Sequence, residues 1–97
     1  MEPIHACDSL NEVRTNIDRI DARMVDLIAE RGAYVAQAAQ FKKNADDVKA
    51  SSRVDAVIAK VRGLAEASHA DPDLVEAVWR TMITHFTNAE MTDFMHR

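Results

Sequence analysis

Four basic side chains, Arg14, Arg31, Lys42 and Arg53, are the residues of this chain best able to do chemistry together. Arg31 falls inside an apolar series: Leu10, Val13, Ile17, Ile20, Met24, Leu27, Arg31, Tyr34, Ala38 and Phe41. The steps alternate between three and four residues, the spacing of a heptad stripe on a helix. A guanidinium in such a stripe is costly to bury unless anions meet it. Lys42 lies eleven residues on, which is about 20° beyond whole helical turns and about 16 Å along the axis. Arg31 and Lys42 thus share a face and can converge on one small anion. Arg14 lies seventeen residues before Arg31, about 26 Å and about 100° away, so it cannot reach that pocket within its own helix. An antiparallel pairing of two copies would bring Arg14 of one chain towards Arg31 and Lys42 of the other. Arg53 can add a fourth cation. Any one of these side chains alone reads as a cation snorkelling from a helix edge. All four together, with Arg31 in mid-stripe, point to a polyanion site.

Glu90 is the second anomaly. It follows Phe86 by four residues and precedes Phe94 by four, so its carboxyl is expected to face the apolar interior. Desolvation raises a carboxyl pKa and nearby cations lower it, so spacing leaves the net direction open. A protonated Glu90 would donate a hydrogen bond to a ligand oxygen. A Glu at the helix edge, or one paired with a core Arg, fits the spacing equally well. Other chemistries find little support. His5, His69, His85 and His96 have no metal-ligand spacing, and no Ser or Cys lies in a nucleophile context. Phosphate-loop glycine patterns are missing too. Asp46-Asp47 reads as a solvated loop, and Trp79 with the five Met residues as core packing. Neither a metal nor a cofactor is expected.

The elements that must position these groups are helices. The chain has 97 residues, of which 47% are hydrophobic and 29% charged, with only two Gly and two Pro, a globular composition poor in turn residues. A net charge of −4 argues against a nucleic-acid partner, which would need a basic face. One cysteine, Cys7, excludes an intramolecular disulfide. No apolar run reaches the roughly 18 residues of a membrane span, and the first residues lack a signal-peptide plan; the expectation is a soluble, reduced, cytoplasmic protein. Ser9 and Glu12 have capping-box spacing and open a first helix over residues 9–43. Such a helix is about 50 Å long, against a radius of gyration of about 13 Å for a compact chain of this size. One chain cannot cover it, so the stripe predicts a second copy. Residues 44–50 read as a polar connection. Ser51 or Ser52 then caps a second helix with Val54, Val57, Ile58, Val61, Leu64 and Ala65 on one face, ending near residues 68–70. Asp71-Pro72 starts a third, with Val75, Val78, Trp79, Met82, Ile83, Phe86, Glu90 and Phe94 along one side. The expected fold is all-α, three helices with a long first helix in a single domain over residues 1–97.

These residues carry a family resemblance over essentially the whole chain. Val13-Arg14, Ile17-Asp18-Arg19-Ile20-Asp21, Ala29-Glu30-Arg31, Phe41-Lys42, Arg53 and Glu90 resemble the all-helical chorismate mutases and the related isochorismate-pyruvate lyases. The resemblance implies an intertwined homodimer with two sites, each completed by Arg14 of the other chain. It implies a cyclic dicarboxylate substrate bearing an enolpyruvyl ether. Arg14 and Arg31 would hold the carboxylates, Lys42 and Glu90 would bond the ether oxygen, and Arg53 would support the ring end. The reaction is pericyclic and needs no metal, cofactor or covalent nucleophile. Three positions depart from typical mutases. Val54 stands where a Glu contacts the ring hydroxyl, Ala50 replaces an acidic loop residue, and Phe86 replaces a small hydroxyl residue. These apolar substitutions, with Tyr34-Val35 and Phe41-Lys42, look more like the lyases. Because mutase activity is the commoner property of the fold, the sequence reading places chorismate mutase first and the lyase second. A non-catalytic helical dimer comes third, since it leaves four cations and an inward acid unexplained.

Overall fold

In the computed structural model, which describes residues 3–96, the chain forms α1 (Leu10–Ala39), α2 (Ala45–Lys49), α3 (Ser51–Ala67) and α4 (Pro72–Met95). It is all-α, with the three expected long helices and one short addition. Two compact units divide it, one ending at Val35 and one beginning at Ala36.

The first unit is the N-terminal segment and most of α1. Ser9 Oγ accepts the N–H of Glu12 at 3.1 Å, satisfying one of the free donors of the first turn. The reciprocal half of the expected box is shifted by one residue, because Glu12 Oε2 accepts from the Asp8 N–H, at 3.1 Å, instead of from Ser9. The Asn16 amide donates to Cys7 Sγ at 3.6 Å and ties the leading segment to the helix. No residue of α1 is buried. The apolar stripe is therefore present but uncovered in the single chain, with Leu10, Ile17, Ile20, Met24 and Leu27 all exposed.

The second unit begins within the last turn of α1, which ends at Ala39 and not at residue 43. The N–H groups of Gln40, Phe41 and Lys42 bond to the carbonyls of Gln37, Ala38 and Ala39, the tighter i−3 pattern of a closing helix. Phe41, read as a stripe residue, is largely exposed. Residues 44–50, expected as a connection, contain α2. Its cap is Asn44, whose Oδ1 accepts the Asp47 N–H at 2.9 Å. Neither Ser51 nor Ser52 caps α3. Ala50, in the left-handed region at φ 38° and ψ 55°, ends α2 and begins α3 without a side-chain cap.

Both α2 and α3 pack on α4. Val48, Ile58, Val61 and Ala65 form the buried core. Opposite them α4 presents Val75, Trp79, Met82, Ile83, Phe86, Glu90 and Phe94, all half-buried. Leu64 and Val78 were expected on these faces, yet both are exposed, since a helix seam one or two residues wide cannot accommodate every apolar position. The end of α3 is closed by a Schellman pair, Ala70 N–H to Ala65 O at 2.8 Å and His69 N–H to Glu66 O at 3.2 Å. His69 takes the left-handed position there, at φ 59°. Asp71 caps α4 through the Asp73 N–H at 2.9 Å.

An ionic clasp joins α3 to α4. Arg62 Nη1 lies 3.1 Å from Asp73 Oδ1 and 2.8 Å from Glu76 Oε1, and Arg80 Nε donates to Glu76 Oε2 at 2.7 Å. Hydrogen bonds from Arg80 and Arg62 hold the Glu76 carboxyl below its ordinary range, while those to Asp73 and Glu76 raise Arg62 further. Among the described residues no helix is long and apolar enough to cross a membrane.

Candidate active site

Lys42 and Glu90 are 48 residues apart in sequence, and the packing of the second unit brings them together. Lys42 Nζ lies 3.7 Å from Glu90 Oε2, with the two side chains 24% and 14% exposed. That separation is a charge contact, beyond hydrogen-bond range. Glu90 Oε2 is itself buried and accepts no hydrogen bond among the described residues. A buried polar oxygen left in that state is costly. It marks the place where a donor or acceptor from a ligand would be gained. The Lys42 ammonium also donates to the backbone carbonyl of Asp47, at 3.2 Å.

Each element has a reason to hold its residue there. Lys42 lies just past the tightened end of α1. Glu90 is on the inner side of α4, one turn beyond Phe86, as its spacing from Phe86 and Phe94 predicts. The Phe86 ring is half-buried and meets the His85 ring edge-on, at 5.8 Å. Arg53 is exposed on the first turn of α3, with Val54 half-buried beside it. Arg14 and Arg31 lie in the other unit, both on α1, the first exposed and the second half-buried. Seventeen residues of one continuous helix keep those two about 26 Å apart.

Sequence reasoning missed Asn44 and Asp47. Asp47 is half-buried, and its Oδ2 accepts the Lys43 N–H at 3.0 Å. The signal was present, because Asn followed three residues later by Asp is a helix-start pattern of capping-box type. Among the described residues no group of three or more His, Cys, Asp and Glu could hold a metal ion.

Chemically, the pair sets an ammonium donor beside a carboxyl group on a half-buried apolar wall. Both can address one oxygen of a small ligand, the carboxyl as a donor when protonated. Comparison with known sequences decides the family. The profile of chorismate mutase type II matches residues 13–91, running from just before Arg14 to just past Glu90. The chain belongs to the chorismate mutase type II family. It is also similar to a protein of Pseudomonas aeruginosa named isochorismate pyruvate lyase, at 32% identity over 88 residues, 91% of this chain and 86% of that one. Membership of that family points to an enzyme acting on a small molecule.

Proposed function

We propose that this member of the chorismate mutase type II family catalyses a pericyclic reaction of a cyclic dicarboxylate carrying an enolpyruvyl ether. The observation that carries the reading is the Lys42–Glu90 pair, 3.7 Å apart with a buried, unsatisfied carboxyl oxygen. In the proposed roles, Lys42 donates to the ether oxygen and a carboxylate, and Glu90, protonated, donates to the ether oxygen. Arg31 of the same chain and Arg14 of the partner subunit bind the two carboxylates, and Arg53 supports the ring end. These donors are aimed at the oxygen whose bond to the ring breaks, so they are worth most in the transition state. Binding a compact reactive conformer supplies the remainder. The uncovered stripe of α1 supports a homodimer, since Leu10, Ile17, Ile20, Met24 and Leu27 have no cover in the single chain. Residues 1–97 then act as one domain closed by a second copy.

Within this class, elimination of pyruvate from isochorismate to leave salicylate is the first reading. There the ether bond breaks as a hydrogen passes from the ring to the enolpyruvyl methylene. Two observations move it ahead of the order suggested by sequence alone: the half-buried apolar Val54 and Phe86, and the lyase named above. Those two side chains offer no partner to a ring hydroxyl. Rearrangement of chorismate to prephenate is the second reading, favoured by the family description itself. The test is to incubate the purified protein with each compound separately and resolve salicylate plus pyruvate from prephenate. Salicylate release supports the first reading, and prephenate alone supports the second. Turnover of neither rejects the enzymatic reading and leaves a helical dimerisation module. Arg31→Ala checks the clamp independently, with turnover lost while the fold and dimer persist.

A further inference from the structure

Lys42 stands outside the regular hydrogen-bond ladder of α1, so something else must hold its ammonium near Glu90. Three contacts of a single residue do so. The Asp47 carbonyl oxygen accepts from Lys42 Nζ at 3.2 Å, its carboxylate accepts from the Lys43 N–H at 3.0 Å, and its own N–H donates to Asn44 Oδ1 at 2.9 Å. The next residue, Val48, is buried in the core where α2 packs on α4. Asp47 therefore couples the segment carrying Lys42 to the helix carrying Glu90. The acid that typical mutases place three residues before Arg53 is Ala50 here, in the left-handed turn between α2 and α3. Asp47 is a different acid on a different turn, and its carboxylate is directed at backbone.

We propose that Asp47 is a positioning residue for Lys42. Its carboxylate closes the turn at residue 43, which sets its carbonyl where the ammonium is received and keeps that ammonium poised between α2 and Glu90. The proposal rests on the enzymatic reading above, in which Lys42 addresses the substrate oxygen. The function of the Asp47 side chain is geometric: it supplies an acceptor at a fixed place, and a neutral amide oxygen at the same place can substitute.

The experiment compares Asp47→Ala and Asp47→Asn with the unaltered protein in steady-state turnover of whichever of chorismate and isochorismate it converts. Thermal unfolding is recorded alongside. Misplacing a donor by about 1 Å can cost about a hundredfold in rate. Asp47→Ala is expected to lower kcat by about tenfold to about a hundredfold, with a smaller change in KM, because the Lys42 bond matters most in the transition state. Asp47→Asn is expected to recover most of that loss. If Asp47→Ala fails to fold, the Asn variant decides, since near-normal kcat there supports an acceptor role. Equal kcat in the Ala variant and the unaltered protein overturns the proposal. So does an Asn variant as impaired as the Ala variant, which would assign the effect to charge. An unaltered protein that converts neither compound overturns the enzymatic reading first, before any variant is compared.

Discussion

Replacing Ile20 by Ala tests the proposed pairing of two copies most directly. Ile17 and Ile20 are 49% and 43% exposed in the single chain, so about half of each side chain remains to be covered. Fully burying an isoleucine is worth about 1.5–3 kcal/mol; covering the remaining half is worth about 1 kcal/mol. A two-fold interface contains the substitution twice, which makes the expected loss about 2 kcal/mol per dimer before any cavity is counted. That converts to about a thirtyfold rise in the dimer dissociation constant. Sedimentation across a dilution series reads this directly. Where the dimer is too tight to dilute apart, its urea midpoint will rise with protein concentration, and Ile20→Ala will lower the midpoint at every concentration. Because the proposed site needs Arg14 of the partner subunit, activity per chain should fall on dilution in step with the dimer. The reasoning is refuted if the unaltered chain is a fully active monomer, or if Ile20→Ala leaves both association and the dilution profile unchanged.

Glu90→Ala should lower kcat by about tenfold or more, whereas Glu90→Gln should keep most of the turnover, since an amide N–H can donate to the same ether oxygen. Equal kcat in Glu90→Ala and the unaltered protein would remove Glu90 from that role. Glu76→Gln should destabilise the protein near neutrality and have little effect in acid. The clasp with Arg80 and Arg62 lowers the folded-state pKa of Glu76, so its stabilisation is present above the ordinary carboxyl range and is lost as pH falls through the lowered value. Urea midpoints at neutral and acid pH check the convergence. His69→Gly should stabilise the protein by about 0.5–1 kcal/mol, since the left-handed position costs a non-glycine residue about 1–2 kcal/mol and glycine returns part of that as unfolded-state entropy. A lower melting temperature for that variant would mean that the His69 side chain makes a contact worth more than the strain.

The helices were legible in the sequence because their signals are local. The three-and-four alternation of α1, the Asp71-Pro72 start of α4 and the inward placement of Glu90 between Phe86 and Phe94 each depend on spacing within a few turns. That one chain leaves the α1 stripe uncovered was legible too, since a helix of that length outruns the core one short chain can build. The boundaries were less so: α1 closes at Ala39 and α2 occupies the expected connection, because so short a helix offers only its start signal at Asn44 and depends on burial of Val48 against α4, which local spacing does not reveal. Which apolar residues stay outside, Leu64 and Val78 among them, depended on where α3 and α4 meet. The 3.7 Å approach of Lys42 to Glu90 was likewise beyond the sequence. Spacing put Lys42 on a face with Arg31, and Glu90 on an apolar face, and the family resemblance implied that both Lys42 and Glu90 address one substrate oxygen. Only the packing of α2 and α3 on α4 set an ammonium beside a buried carboxyl, because that distance is fixed by contacts between segments and by no local preference of either one.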